Sequence, residues 1–140
     1  MTGSGQSAPA SVAHREHDHD VKVLIVDDQE RFRRVLRELI ARAHGFAVVG
    51  EASSGEEATR AAQALAPELV LMDVVMPGMG GIAAARSILK NHPTPLVVLI
   101  SVDDPSLHPE ADSLGGAVAC VRKQDLRPPR LRELWETRRN

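Results

Sequence analysis

Aromatic residues and cysteine are almost missing from this 140-residue sequence. It contains two Phe, one Trp and no Tyr, so aliphatic side chains must build its core. The single cysteine, Cys120, excludes an internal disulfide and favours a reducing compartment. No apolar run approaches the ~20 residues of a membrane span, and the N-terminus lacks the apolar core of a signal peptide. The sequence therefore predicts a cytoplasmic protein without a membrane partner.

A large excess of charge of either sign is also missing. The formal net charge is −2 and the pI is about 6.3, which gives no electrostatic reason to expect direct binding to nucleic acid. The composition divides the chain into a disordered N-terminal tail at 1–20 and one folded domain at 21–138. Within the tail, His14, His17 and His19 could form a weak metal site. A solvated polar leader is the favoured interpretation, because nothing there fixes ligand geometry.

Five short aliphatic runs stand out from residue 21 onward. Their continuous aliphatic and β-branched character is typical of strands that are buried on both faces of a sheet. They predict strands at Val21–Val26, Phe46–Val49, Leu69–Met72, Leu96–Ile100 and Ala117–Val121.

Apolar residues at helical spacing follow the first two runs. The second helix is predicted to begin at a capping box formed by Ser54 and Glu57. The first helix is predicted over Arg31–Arg42, and Gly45 is expected to end it. Its predicted buried stripe comprises Phe32, Val35, Leu36, Leu39 and Ile40.

Prolines shape the later part of the chain. A third helix is predicted at 82–91, and a last helix is predicted to begin at Pro128, since proline suits the first helical turn. The segment 104–116 contains Pro105 and Pro109. Because a proline breaks a helix, only a short helix beginning near Pro109 is expected there.

Strands thus alternate with helices along the whole domain. Such alternation predicts an α/β fold in which a parallel sheet carries helices on both faces. Five units in ~120 residues are too few for a closed eight-stranded barrel, so we expect an open, doubly wound sheet. In sheets of this kind the ligand site lies beyond the carboxyl ends of the strands.

Five polar residues lie at the predicted carboxyl ends of four strands. Asp27 and Asp28 follow the first strand, and Asp73 follows the third. Ser101 ends the fourth, and Lys123 lies just beyond the fifth. One Asp in such a place is usually a turn or cap residue, and one Lys a solvated charge. Five such residues at one edge are poorly explained in that way.

Three carboxylates at one edge of a sheet repel each other. A pair ~4 Å apart costs roughly 4 kcal/mol at an effective dielectric constant of about 20, and a cation would offset that cost. Oxygen ligands without His or Cys favour Mg²⁺. A divalent cation, an ammonium and a hydroxyl together suit a phosphoryl group, and one of the carboxylates could be the nucleophile that forms an acyl phosphate.

The motifs around these residues resemble the receiver (CheY-like) domains of bacterial two-component response regulators. The resemblance covers about 21–138, and it is closest to the subfamily that usually carries a C-terminal helix-turn-helix. It implies a flavodoxin-like sheet with strand order 2-1-3-4-5. The motifs are Val23-Leu24-Ile25-Val26-Asp27-Asp28, Leu71-Met72-Asp73-Val74-Val75-Met76-Pro77-Gly78-Met79-Gly80-Gly81, Leu99-Ile100-Ser101 and Val121-Arg122-Lys123.

The resemblance implies a role for each candidate residue. Asp73 would accept a phosphoryl group from a sensor histidine kinase, and Ser101 and Lys123 would each contact a phosphoryl oxygen. Asp27, Asp28, Asp73 and the backbone carbonyl of Val75 would bind Mg²⁺. The domain would then be a signalling switch and not an enzyme.

The resemblance also implies partners. The first helix, at Arg31–Arg42, would form part of the surface that docks the kinase, and a homodimer is a further expected partner. Few residues follow the last predicted helix, so the sequence leaves open whether the chain acts alone or is part of a longer regulator. DNA would be contacted, and transcription controlled, only through an output domain outside this sequence.

Four residues or segments depart from the family pattern. Cys120 stands where the family usually has Tyr or Phe, and packing is its favoured role over a redox role. Val102 replaces a very small residue and is expected to narrow the path to Asp73. Gln124 follows the lysine in place of a proline, and the two prolines of 104–116 interrupt a regular helix. Cys120 and Val102 keep a second hypothesis open: a pseudo-receiver that switches by partner binding without phosphorylation.

A phosphohydrolase with an aspartate nucleophile is a third, less favoured hypothesis. Enzymes of that class resemble Asp-x-Asp-x-Thr after the first strand. Here the first strand is followed by Asp27-Asp28-Gln29-Glu30, which does not match.

Overall fold

A computed structural model describes residues 19–115 and 117–138. Most of the predicted tail, residues 1–18, therefore lies outside the described residues. The described chain contains one five-stranded parallel sheet. Its strands are β1 (Val21–Val26), β2 (Phe46–Ala52), β3 (Leu69–Asp73), β4 (Leu96–Ser101) and β5 (Val118–Arg122).

The order of the strands across the sheet is β2-β1-β3-β4-β5. This order confirms the predicted doubly wound, flavodoxin-like sheet. Four predicted strands gain one to three residues at their carboxyl ends, so Asp73 and Ser101 are the last residues of β3 and β4. The two side chains therefore take their positions from a rigid sheet.

Within the described residues, four α-helices cover both faces of the sheet, and helices on both faces were predicted. They are α1 (Glu30–Arg42), α2 (Gly55–Leu65), α3 (Gly81–Asn91) and α4 (Pro128–Glu136). Alternate residues of β1 reveal the two layers: Leu24 packs with α2 and α3, whereas Val23 packs with α1 and α4. Small side chains let α2 and α3 approach the sheet closely, namely Ala58, Ala62, Ala84 and Ala85, all buried.

The helix termini follow local chemistry. The Ser54 hydroxyl accepts a hydrogen bond from the Glu57 N–H at 3.0 Å, as the predicted capping box requires. The reciprocal bond is shifted by one residue, because the Glu57 carboxylate accepts from the N–H of Ser53 and not of Ser54. The Ser53 hydroxyl also donates to the Glu57 carboxylate, at 2.9 Å. The backbone bond from Ser53, and then its hydroxyl bond, hold the pKa of Glu57 below its usual value.

Two details of the first helix were predicted wrongly. Val35 is 49% exposed, because it lies at the edge of the stripe that Leu36, Leu39 and Ile40 turn toward the sheet. The helix ends at Arg42 with Ala43 as its C-cap. Gly45, at φ +89°, forms the turn into β2 instead.

The described residues between β4 and β5 form two 3₁₀ turns and no α-helix. The turns span Pro105–Leu107 and Pro109–Leu114, and each begins with a proline, which has no N–H to continue a helical ladder. The expected short helix therefore starts at Pro109 as predicted but is a 3₁₀ helix. In the described part of the chain, no helix has both the length and the apolar character that crossing a membrane requires.

Candidate functional site

The candidate site lies at the carboxyl edge of the sheet. Asp27 and Asp28 directly follow β1, and Asp73 ends β3 beside it. Ser101 ends β4, and Lys123 opens a 3₁₀ turn directly after β5. The structure thus places all five predicted residues at one edge, because parallel strands deliver their carboxyl ends to the same side.

The three aspartates form a compact carboxylate cluster. Asp27, Asp28 and Asp73 each offer an oxygen, and these oxygens lie within 4.8 Å of one another. The Asp27 side chain is 1% exposed and that of Asp73 is 11% exposed, whereas Asp28 is at the surface. The cluster is therefore deep on one side and open to solvent on the other.

Backbone N–H groups fix one oxygen of each buried carboxylate. Asp27 Oδ1 accepts from the Gln29 N–H at 2.8 Å, and Asp73 Oδ1 accepts from the Val75 N–H at 3.2 Å. Asp27 Oδ2 is buried and has no hydrogen-bond partner among the described residues. A buried carboxylate oxygen without a donor is costly, and a bound cation would remove that cost.

The donor set fits a hard divalent cation. The cluster consists of carboxylate oxygens, and no His or Cys belongs to it among residues 19–115 and 117–138. Magnesium prefers such oxygen ligands and uses few carboxylates. The orphaned Asp27 Oδ2 adds an observation that the sequence could not supply.

Lys123 supplies the positive charge of the site. Its Nζ lies 3.9 Å from Asp27 Oδ2 and 4.0 Å from Asp73 Oδ2. It also lies 3.9 Å from the centroid of the Phe32 ring. The sequence placed Phe32 only in the buried stripe of α1, and no local signal revealed its contact with a residue 91 positions away.

Ser101 is 3% exposed, and its Oγ accepts a hydrogen bond from the Asp103 N–H at 3.0 Å. That bond orients the oxygen and leaves the hydroxyl proton available to an acceptor. Val102 is 71% exposed and Val75 is 67% exposed. Val102 therefore lies at the surface next to buried Ser101, and Val75 lies at the surface two residues after buried Asp73.

The carboxyl of Asp73 has a raised pKa. Burial is the largest cause, and the nearby Asp27 charge acts in the same direction. The Val75 N–H and the Lys123 ammonium oppose the shift but do not cancel it, so the pKa rises to about 6. Cationic charge added beside Asp73 would favour its ionised, nucleophilic form.

An ion-pair network supports the acidic loop from the α1 side. Arg33 donates to the backbone carbonyl of Asp27 at 2.7 Å and to Glu51 at 3.2 Å. Glu51, on β2, also accepts from Arg37 at 2.7 and 2.8 Å. Both arginines lie outside the apolar stripe predicted for the first helix, and their roles depend on contacts between separate elements.

The structure shows where two of the residues that depart from the family pattern, Cys120 and Gln124, are located. Cys120 lies half-buried on β5 and packs against the core that β5 shares with α2 and α3. Burial, and then the charge of Asp112, raise the pKa of its thiol. A half-buried thiol with a raised pKa supports packing as its role. Gln124 lies within the 3₁₀ turn Lys123–Asp125.

Comparison with known proteins gives a consistent result. Residues 23–134 match the family model described as "Response regulator receiver domain". Response regulator GacA of Pseudomonas syringae pv. syringae is 41% identical over 103 residues, which are 74% of this chain and 48% of that protein. The transcriptional regulatory protein YdfI of Bacillus subtilis is 39% identical over 94 residues, covering 67% of this chain and 44% of that protein. The chain thus spans about half the length of these curated relatives.

Solved structures extend the likeness to the fold. The signal receiver domain of the putative response regulator NarL from Mycobacterium tuberculosis aligns with a TM-score of 0.74 at 29% identity, covering 86% of this chain and 99% of that one. The response regulator domain of Thermotoga maritima CheB aligns with the same score at 28% identity, covering 84% and 96%. Some relatives therefore attach this domain to an enzyme, such as a protein-glutamate methylesterase of Geobacter metallireducens, of which the match covers 23%.

Proposed function

The chain belongs to the response regulator receiver domain family, and we propose that it is a phosphorylation-dependent signalling switch whose phosphoacceptor is Asp73. The position of Asp73 carries this proposal. Its carboxylate lies between two further carboxylates and an ammonium, at the end of the central strand β3. Such an arrangement suits nucleophilic attack on a phosphoryl group.

Accessibility selects Asp73 among the three aspartates. The side chain of Asp27 is 1% exposed, so an incoming phosphoryl group could not reach it. That of Asp73 is 11% exposed, with one oxygen held by Val75 and the other facing Lys123. Asp28 lies at the surface, where few neighbours would orient it.

The residues present would also hold Mg²⁺. Asp27, Asp28 and Asp73, with the backbone carbonyl of Val75, are the proposed ligands. When bound, Mg²⁺ supplies positive charge that offsets the charge of the phosphoryl oxygens.

The transfer itself would proceed on the side chains of this protein. An Asp73 oxygen forms a bond to phosphorus as the bond to the histidine nitrogen of a sensor kinase breaks, and the released imidazole takes a proton from solvent. Lys123 then pairs with one phosphoryl oxygen, and the Ser101 hydroxyl donates to another. Lys123 Nζ already lies 4.0 Å from Asp73 Oδ2, and Ser101 ends the strand next to β3.

The proposed partners follow from the same function. A sensor histidine kinase would dock against α1, beside the acidic loop, and a homodimer is a further proposed partner. In a longer regulator, an output domain would contact DNA and control transcription. The receiver domain itself would act in the cytoplasm and would not be an enzyme.

Two observations favour a second candidate, a pseudo-receiver that switches by partner binding alone. Cys120 takes the place of the usual aromatic residue, and 3₁₀ turns replace the α-helix between β4 and β5. Neither feature touches the carboxylate cluster, so phosphorylation remains the leading proposal. Cys120 and the 3₁₀ turns instead concern how phosphorylation would be transmitted from the site to the surface of the domain.

Intact-mass measurement separates these proposals. The protein is incubated with Mg²⁺ and a small acyl phosphate or a purified histidine kinase. We expect one phosphoryl adduct, which Asp73→Asn abolishes and the control Asp103→Asn retains, since Asp103 is an exposed carboxylate at the same edge. An adduct that persists in Asp73→Asn would refute the assignment of the phosphoacceptor. Absence of an adduct with every donor would favour the pseudo-receiver.

A further inference from the structure

The ammonium of Lys123 rests on an aromatic ring. Its Nζ lies 3.9 Å from the centroid of Phe32, within the range of a cation–π contact. Phe32 belongs to the first turn of α1, whereas Lys123 follows β5 at the edge of the sheet. The ring thus links two elements that flank the carboxylate cluster.

The Lys123 ammonium lies at nearly equal distances from two carboxylate oxygens and the Phe32 ring. Nζ is 3.9 Å from Asp27 Oδ2, 4.0 Å from Asp73 Oδ2 and 3.9 Å from the ring. The two carboxylate distances are ion-pair distances, longer than direct hydrogen bonds. The ammonium therefore makes no direct hydrogen bond to either carboxylate, whereas both carboxylates and the ring face attract it.

A flexible lysine gains most from such a contact. Its four-carbon stem has several rotatable bonds, and ordering them costs conformational entropy. An aromatic face attracts the cation through its quadrupole without supplying a strong hydrogen-bond acceptor that would compete with a phosphoryl oxygen. A carboxylate in the same place would instead engage those donors.

We propose that Phe32 is a positioning residue for phosphoryl transfer, which holds the Lys123 ammonium over the carboxylate cluster with its donors free. The inference rests on the proposed function, because it assigns Lys123 the role of contacting a phosphoryl oxygen. It gives Phe32 a task beyond its packing against the core of β1, α1 and α4. The property that matters is the face of the ring and not its apolar volume.

Three variants separate the ring face from packing. Phe32→Leu keeps an apolar side chain and removes the π face, whereas Phe32→Tyr keeps the face. Phe46→Leu is the matched control, since Phe46 is the other phenylalanine of the chain and lies at the start of β2, at the opposite edge of the sheet. Adduct formation with a small acyl phosphate at saturating Mg²⁺ is followed by intact mass.

We expect Phe32→Leu to slow adduct formation by roughly 5- to 30-fold, the factor that a desolvated cation–π contact represents. Phe32→Tyr and Phe46→Leu should stay within about twofold of the parent rate, although Phe46→Leu lowers the melting temperature. In a Lys123→Met background, Phe32→Leu should cause no further slowing, because the partner of the ring is gone. Unchanged kinetics in Phe32→Leu, or equal slowing in both backgrounds, would overturn the inference.

Nuclear magnetic resonance gives an independent readout. Lys123 Nζ lies over the ring, so the protons of the adjacent ε-carbon should be shifted upfield in the parent protein and in Phe32→Tyr. The shift should vanish in Phe32→Leu, and its absence from the parent would overturn the inference directly. If the parent protein forms no adduct at all, the proposed function fails. If the parent reacts and Phe32→Leu reacts equally fast, only the role of Phe32 fails.

Discussion

The backbone of Gly81 packs directly against the backbone of Asp73 in the candidate site. A β-carbon at position 81 would lie 2.1 Å from the carbonyl oxygen of Asp73 and 2.9 Å from Cα of Val74. The Gly81 N–H also donates to the Val74 carbonyl at 2.8 Å. The first residue of α3 is therefore seated directly on the backbone that carries the proposed nucleophile, and no side chain fits between them.

Gly81→Ala should strongly destabilise the protein for this reason. Both atoms that the new methyl group meets belong to the backbone and cannot rotate away, so we expect a loss of at least about 1–3 kcal/mol in the free energy of unfolding. Denaturant unfolding measures it. Gly80→Ala is the control, because its β-carbon would lie 3.5 Å from the Val74 carbonyl, an ordinary contact. Equal stability of the two variants would contradict the close approach.

The raised pKa of Asp73 predicts a pH-dependent stability in the absence of divalent cations. In the unfolded chain the carboxyl has a pKa of about 3.9, and in the folded protein a pKa of about 6, chiefly because it is buried. The folded state thus binds the proton more tightly. The free energy of unfolding therefore falls as pH rises from about 4 to 6, because the carboxyl ionises more easily in the unfolded chain. Above pH 6 it stays at this lower value.

Asp73→Asn should remove this penalty. Near pH 7.5 in a chelator, we expect the variant to exceed the parent in free energy of unfolding by up to about 3 kcal/mol. The difference should shrink toward zero as pH falls below about 3, where the parent carboxyl is protonated in both states. Urea unfolding at several pH values measures this trend. A variant that is less stable than the parent at neutral pH would show that the electrostatic argument is wrong.

Magnesium should stabilise the folded protein through the same carboxylates. At a hundredfold excess over its Kd, a ligand that binds only the folded state adds about 2.7 kcal/mol. Thermal unfolding with and without Mg²⁺ measures the effect. Asp28→Asn should abolish most of it, whereas Glu38→Gln, which removes one exposed charge from α1, should leave it intact. If Mg²⁺ leaves the melting temperature of the parent protein unchanged, the proposed metal site is excluded.

Cys120 should react slowly with thiol reagents in the folded protein. The thiol is half-buried on β5, and burial raises its pKa, so less thiolate is present near pH 8. We expect labelling by an aromatic disulfide to be at least about tenfold faster in concentrated urea than in buffer. Since the chain has one cysteine, the reaction reports this residue alone. Equal rates would instead point to an accessible, reactive thiol and reopen a redox role.

Much of the fold was predictable because the signals are local. Buried parallel strands require continuous aliphatic runs, and each of the five runs became a strand within a few residues of its predicted bounds. The prolines of 104–116 excluded a regular helix, and two 3₁₀ turns lie there. Val35 was misjudged because helical spacing defines a stripe but not how far the sheet extends beneath its edge.

The candidate site was predictable only as a set of residues at one edge. Strand ends placed Asp27, Asp73 and Lys123 together, since parallel strands share one carboxyl edge. Three features were not predictable: the orphaned Asp27 Oδ2, the ring of Phe32 beneath the ammonium, and the bond from Arg33 to the Asp27 carbonyl. Each depends on how side chains from separate elements are placed around the site once the core is packed.

The sequence by itself therefore determined the strand pattern, the parallel sheet and the chemical types of the groups at its edge. Hydrophobic periodicity and turn chemistry act over a few residues and can be read directly from the chain. Only the tertiary structure decided that Asp27 is deeper than Asp73, that Lys123 lies about 4 Å from both, and that Gly81 touches the backbone of Asp73. Burial and charge interactions at such distances arise from contacts between residues far apart in sequence, which form only when the complete core is packed.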